Sequence, residues 1–421
     1  MLNWRKFIVT GALTTTLAFS SISAMAVSFD DVSGSAGETS ISKLVSLGII
    51  VDKDTYFNPE DGLTRLEFAE IANRIVTLSP SKALKVKDVS TANGRNGAVV
   101  KAVGNGLLSL NKKGEFKPRA GVTYGDFART LAYGLGFKKH WSNRPIDYLY
   151  YLDRKGVLDI DTDLDAVVTR EEAAIAIDNY MKVKDAYKTV TGVVAGLTKT
   201  GFYVKNDTGV TNYKLAANAS IFLDGQAGGK ENLANGTVVE LTFNNKYEVA
   251  FVTGSGLEVF DGKLSYSAGN LKFNDTVKNF NLNAVVAPLP NYSNKAFTFT
   301  EFTNYSSKAG VSFEGTLYSN TANDEITMIE AYISKITEAP MKIAGNKVTF
   351  DFSNYALKNQ PFVFSEEAKF AVVEGETKKD VTLADVVALQ AAGKAPNATI
   401  TAGADGKVLT LTVTLKAEEK K

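Results

Sequence analysis

The chain has 421 residues, 47 Lys+Arg against 46 Asp+Glu, one histidine and no cysteine. The lack of cysteine excludes disulfides, thiolate metal sites and cysteine nucleophiles, and a Ser-His-Asp triad or multi-imidazole metal site would hang on His140 alone, which has no motif around it. The near-neutral charge without a basic stripe points away from nucleic acid, and the length exceeds one ordinary core, so several domains are expected.

At the N-terminus Arg5 and Lys6 precede an apolar stretch, Phe7 to Phe19, that closes on Ala24-Met25-Ala26. That order predicts a secretory signal peptide over residues 1–26. The apolar run is broken by Gly11 and falls short of the roughly 20 residues of a spanning helix, and no later run is long enough either. A secreted chain with no transmembrane segment is expected, and loss of Arg5 and Lys6 leaves 45 basic against 46 acidic residues.

From Phe29 to about Lys182 the apolar residues follow helical spacing, and one pattern recurs three times. The first copy reads Phe29-Asp30-Asp31-Val32, a helical stretch ended by Gly48, then Phe57-Asn58-Pro59 and Leu63-Thr64-Arg65-Leu66-Glu67. The second reads Lys87-Asp88-Val89, a stretch ended by Gly106, then Phe116-Lys117-Pro118 and Val122-Thr123-Tyr124-Gly125-Asp126. The third starts irregularly near Trp141, passes Gly156, and ends on Val168-Thr169-Arg170-Glu171-Glu172. Thr64 with Glu67, Thr123 with Asp126 and Thr169 with Glu172 are capping boxes, so a helix starts at each threonine, and the shorter Asp126 predicts the weakest box. Gly48, Gly106 and Gly156 suit the left-handed residue that ends a helix. Each helix-loop-helix unit is too small to bury its own apolar face, so the copies must pack on one another.

Arg65 and Arg170 each fall at the first helical position, where the macrodipole disfavours a cation by roughly 0.3–1 kcal/mol. Two readings stand at this point. Either the arginines swing to a nearby carboxylate or to solvent, or guanidinium and free helix N–H groups together clamp an anionic substituent on a ligand.

The order Phe-x-Asp-Val, helix, Gly, Phe-x-Pro, Thr-Arg-x-Glu resembles the S-layer homology domain in three tandem copies. The resemblance implies a pseudo-threefold helical bundle whose inter-repeat grooves bind secondary cell-wall polysaccharide, typically pyruvylated. Its polymer-binding motif falls on Thr64, Arg65 and Glu67 and on Thr169, Arg170 and Glu172, and its early Asp-Val on Asp31 and Asp88. At Thr123 the second copy departs: Tyr124 replaces the arginine, leaving that groove inactive, stacking a sugar on the tyrosine, or borrowing Arg119 or Arg129. Trp141 is either a sugar-stacking platform or core.

Asp159, Asp161, Asp163 and Asp165 alternate like the start of a calcium loop, but Leu164 and Arg170 stand where such a loop needs glycine and glutamate, so no metal site is expected. No cofactor is expected, and calcium in assembly has no motif behind it. Beyond residue 188 apolar residues alternate as in strands, as in Leu409, Leu411, Val413 and Leu415, and Asn244-Asn245-Lys246 reads as a hairpin between Val238–Phe243 and Tyr247–Val252. The segment Ala219 to Gly225 is echoed by Ala368 to Gly375, and Asn244-Asn245-Lys246 by Asp405-Gly406-Lys407. Asp224, Glu240, Asp351 and Glu374 could in principle supply an acid and a base, but in threonine-rich strands such acids are mostly solvated, and no enzyme activity is expected.

The expected fold class is therefore multidomain: an all-α N-terminal region, helix-loop-helix repeats in a pseudo-threefold bundle, followed by all-β tandem small barrels or sandwiches. The expected boundaries are residues 27–78, 79–137 and 138–187 for the repeats and 188–254, 255–335 and 336–421 for three β modules. The leading functional reading is non-covalent anchoring to wall polysaccharide, with the β region self-associating into a surface lattice. The alternative is a wall-anchored adhesin whose β modules hold a glycan or a protein.

Overall fold

The computed structural model describes residues 29–51, 55–79, 84–90, 95–267, 270–287, 310–351 and 361–415. The signal-peptide segment, residues 1–26, lies outside them. Six helices come first: α1 (Glu38–Ser46), α2 (Arg65–Ile75), α3 (Arg95–Gly104), α4 (Tyr124–Gly134), α5 (Pro145–Asp153) and α6 (Arg170–Val183).

The threonines start α2, α4 and α6, because each hydroxyl accepts the third N–H of its helix. At Thr64 and Thr169 the glutamate returns the bond and the capping box closes, whereas Thr123 holds the Asp126 N–H at 3.4 Å with no reciprocal bond. Gly48, Gly106 and Gly156 take φ of 70°, 72° and 69° just past α1, α3 and α5, where any side chain would be strained. One apolar core joins all six helices, with Phe68 against Phe127 at 4.9 Å and Phe29 against Phe57 at 5.5 Å.

Two findings overturn the expected fold class. The N-terminal region is not an all-α bundle: extended backbone meets at its centre in antiparallel bridges Gly62–Thr169, Thr64–Gly121 and Thr123–Val167. The cause lies in Leu63, Val122 and Val168, which precede the caps. Their side chains are buried and their main-chain groups must pair, and the nearest partners are one another. The C-terminal region is not all-β, and beyond a first small barrel its strands do not form further separate small barrels or sandwiches. It contains α7 (Leu383–Ala391), capped by Thr382 and Asp385, and most of its strands belong to one continuous 11-stranded sheet.

The first sheet comprises β1 (Thr189–Leu197), β2 (Gly201–Asn206), β3 (Gly209–Leu223), β4 (Gln226–Gly228), β5 (Val238–Phe243) and β6 (Val249–Gly254), in the order β2-β1-β5-β6-β3-β4. A further β2–β3 pairing closes it into a barrel, as the long β3 pairs antiparallel with β2 and then parallel with β6. The second sheet holds β7 (Leu257–Ser267), β8 (Asn270–Phe273), β9 (Thr276–Lys278), β10 (Phe280–Val286), β11 (Val311–Asn320), β12 (Ile326–Ala344), β13 (Lys347–Phe350), β14 (Phe362–Glu374), β15 (Thr377–Val381), β16 (Asn397–Ala402) and β17 (Val408–Leu415). The 19-residue β12 fuses its halves, pairing with β10 and β11 along its start and with β13 and β16 along its end. It bends between Ile336 and Ala339, where the register with β16 shifts and Glu338 takes φ of 46°. The echoed segments Ala219 to Gly225 and Ala368 to Gly375 fall on β3 and β14, each of which ends in a parallel pairing, with β6 and with β17.

The helices dock on the first sheet through polar contacts. Ser46 and Ser220, both buried, share a 2.7 Å hydroxyl bond, and Asn218 donates to the Ser46 carbonyl. Beside them Asp178 on α6 is almost fully buried and gathers Lys43 at 3.6 Å, Lys182 at 2.7 Å and the Tyr187 hydroxyl at 2.6 Å. Burial would raise the Asp178 carboxyl, but bonds from Lys182 and Tyr187 and the charge of Lys43 hold it below its ordinary range.

Candidate functional site

The three helix-starting segments lock together through a closed ring of backbone bonds. Leu63 N–H donates to the Val168 carbonyl at 2.8 Å, Val168 N–H to Val122 at 3.1 Å, and Val122 N–H to Leu63 at 2.9 Å. This ring places the motif side chains of one segment against the next.

The first two N–H groups of each helix are consumed by the neighbouring segment. Arg65 and Leu66 donate to Ala120 and Pro118, Tyr124 and Gly125 to Ala166 and Leu164, and Arg170 and Glu171 to Asp61 and Pro59, all at 2.9–3.1 Å. The N–H groups that the anion-clamp reading leaves free are therefore bonded to protein. The side chains follow the same circuit. Arg65 donates from Nη1 to Asp126 at 2.6 Å, from Nε to the Phe116 carbonyl at 3.0 Å and from Nη2 to the Ser109 carbonyl at 2.7 Å, with its guanidinium 4.9 Å from the Phe116 ring. Arg170 pairs with Glu67, donates from Nε to the Phe57 carbonyl at 2.7 Å and lies 4.5 Å from the Phe57 ring. Between them, Tyr124 donates its phenol to Glu172. Burial first, then that carboxylate, pushes the Tyr124 hydroxyl far above its usual value. Glu172 is raised by burial, but the Thr169 N–H and hydroxyl and the Tyr124 phenol together keep it below its usual range.

The arginines at helix starts thus have a structural reason: each meets the capping-position acid of another segment, which offsets the dipole cost. Tyr124 meets the corresponding acid, Glu172, so the departure at this position preserves the circuit. Arg129 is committed as well, to Asp126 at 2.7 Å and to the Leu107 carbonyl, whereas Arg119 is exposed.

Asp31 and Asp88 sit at the Phe-x-Pro turns. The Phe57 and Asn58 N–H groups donate to Asp31 at 2.9 and 2.6 Å, and those of Phe116 and Lys117 to Asp88 at 2.7 Å each. These bonds hold Asn58 and Lys117 at φ of 55°. Desolvation works to raise Asp88, but the Phe116 and Lys117 N–H groups and the charge of Arg65 lower it overall. Beside Arg170 lies a narrow crevice that includes Ile50, Glu67, Glu70 and Arg74. Arg74, outside every motif read from the sequence, is exposed and donates one guanidinium N–H to the Ile49 carbonyl. Its place in the last turn of α2, one turn beyond Glu70, was the available signal.

Trp141 belongs to neither the core nor this circuit. It is 57% exposed and stands edge-on to Phe137 at 5.5 Å, with His140 beside it. The acidic run forms local turns, Asp159 accepting the Asp161 N–H and Asp163 that of Asp165. Asp224 ties a turn by accepting the Gly256 N–H and the Thr321 hydroxyl, and Glu240, Asp351 and Glu374 lie exposed. No cluster of His, Asp or Glu suited to a metal occurs among the described residues, and no helix among them is long and apolar enough to cross a membrane.

The S-layer homology domain family matches residues 28–69 and 87–128, which span α1 to the start of α2 and the Asp88 turn to the middle of α4. No match was found among curated proteins. S-layer homology domains are known for anchoring surface proteins to the cell wall through its polysaccharides, so two such segments mark a wall-associated protein of the cell surface.

Proposed function

We propose that this chain is a non-enzymatic surface protein held to secondary cell-wall polysaccharide by its helical region. The observation that carries the reading is that the two matched segments and residues 138–187 interlock through one circuit, Arg65–Asp126, Tyr124–Glu172 and Arg170–Glu67. Residues 138–187 act as a third repeat, since they supply the same threonine cap and the same paired arginine. In this reading Thr64, Thr123, Thr169, Asp31, Asp88 and the paired side chains position the grooves between segments. Arg74, with guanidinium donors to spare at the crevice beside Arg170, meets an acidic substituent such as a pyruvyl ketal. The β region, secreted with the anchor, associates with other copies in a surface layer.

Titration of the full chain with polysaccharide released from walls tests the anchor. Saturable binding, weakened severalfold by Arg74→Ala and by Arg170→Ala, is expected. No binding by the wild-type chain would remove the reading.

A further inference from the structure

The helical region and the first barrel share one short piece of chain. Leu47, just past α1, packs on the helical core and on the barrel core alike. Its neighbour Ser46 is buried, shares a hydroxyl bond with Ser220 and offers its carbonyl to the Asn218 amide at 3.2 Å. One turn back, Lys43 stands 5.6 Å from the ring of Phe251 on β6.

The same stretch then becomes a wall of the crevice. Gly48 turns the chain at φ of 70°, Ile49 and Ile50 donate to the Leu44 carbonyl at 2.8 and 3.2 Å, and the Ile49 carbonyl accepts from Arg74 at 3.0 Å. Ile50 and Val51 lie in the lining with Arg74 and Arg170. At about 3.6 Å per residue, residues 46–50 reach at most about 18 Å, so a short tether folded back on α1 links barrel and crevice. The helix α6 makes a second strut, with Arg170 and Ala173 at the crevice and Asp178 about two turns on, beside Lys43.

The barrel receives α1 where its own pairing is interrupted. β3 pairs with β2 as far as Lys214, and its parallel register with β6 shifts between Leu215 and Ser220. The echoing strand β14 repeats that shift against β17, between Phe364 and Lys369. At the places of Asn218 and Ser220 it carries Glu367 and Lys369, both exposed. The irregularity therefore belongs to the strand's own fold, since β14 keeps it with charged residues in solvent. The small neutral pair belongs to the copy that a helix covers.

We propose that the first barrel is a working part of the wall anchor, with Asn218 and Ser220 as positioning residues that act through residues 46–50 on Arg74. The inference rests on the reading of the crevice as the polymer site. The two arrangements involved are residues 46–50 seated on β3 and the same residues released from it. Release withdraws the Ile49 carbonyl that aims the Arg74 guanidinium, so the polymer binds the seated form more tightly. By linkage, bound polymer strengthens the seating of α1 on the barrel by the same factor.

The double variant Asn218→Glu/Ser220→Lys gives β3 the pair that β14 carries at the same place, so the barrel keeps its fold while α1 loses its seat. In the full chain it should raise Kd for polysaccharide released from walls about fivefold or more, at unchanged far-UV circular dichroism. Ser220→Ala, which keeps the seat small and neutral, should stay within about twofold of the wild type. Hydrogen exchange of the wild-type chain gives a readout that needs no variant. Saturating polysaccharide should slow exchange at residues 49–50 and also across the junction, at residues 215–223 of β3. An unchanged Kd in the double variant, or slowing confined to the helical region, would overturn the positioning role and leave the anchor reading standing. Absence of binding by the wild-type chain would instead remove the anchor reading, and this inference with it.

Discussion

Asp178→Leu should be among the most damaging single changes in the helical region. Asp178 and Lys43 are 2% and 6% exposed, and Lys43 is already pushed below its ordinary pKa, mainly by burial. Removing the carboxylate leaves a buried ammonium without its ion-pair partner, with only the charge of Glu240 nearby, and the Tyr187 hydroxyl without its acceptor. Loss of one partner from a buried pair costs about 3–5 kcal/mol. The double variant Lys43→Met/Asp178→Leu replaces both charges by apolar groups of similar size, so it should be more stable than Asp178→Leu alone, with a coupling of about 2 kcal/mol or more. Urea unfolding followed by tryptophan emission and by far-UV circular dichroism measures all four corners of the cycle. A cost under 1 kcal/mol for Asp178→Leu, or strictly additive effects, would refute the reasoning. The wild type carries a pH signature too. The folded pKa of Asp178 lies below its unfolded value, so its contribution is present above about pH 4 and disappears as pH falls through the folded value.

Tyr124→Phe removes the phenol that donates to Glu172 and should cost about 1–2 kcal/mol, seen as a lower urea midpoint at unchanged m-value. Tyr124→Arg, which restores the motif residue, should recover most of that loss. Thr169→Ala opens the capping box of α6 and should lower stability by about 1 kcal/mol, a shift of roughly 2–4 °C in the first thermal transition. Gly106→Ala, at φ of 72° with open space around the added methyl group, should cost about 1 kcal/mol through backbone strain alone. A stabilising or neutral result in thermal melts would contradict the left-handed helix end.

The local grammar of the helical region was legible. Thr64, Thr123 and Thr169 start helices and Gly48, Gly106 and Gly156 end them, because each signal acts within four residues; the Asp126 box is the open one, its carboxylate held instead by Arg65 and Arg129. The seam was not legible. Nothing in Leu63, Val122 or Val168 announces that each bonds to another a hundred or so residues away at most, and a helical period around them suggested helices throughout. The same limit governed the site. Sequence alone left Arg65 and Arg170 between a protein carboxylate and a ligand, and the acids they meet, Asp126 and Glu67, come from other segments. Tyr124 read as a departure from the motif, with no partner in view until Glu172 stood opposite. In the β region the alternation of Leu411, Val413 and neighbours gave strands, but not that β12 would run through two halves of one sheet, since the bend at Glu338 leaves little mark in the pattern. α7 was missed because it is a short helix set between strands, although Thr382 and Asp385 form a box like the others.

The wall-anchor claim is tested most directly by co-sedimentation of the full chain with wall sacculi, before and after acid removal of the secondary polysaccharide. The account predicts pelleting with intact walls, loss of it with stripped walls, and a marked drop for Arg74→Ala. Equal pelleting with stripped walls, or none with either, would contradict it.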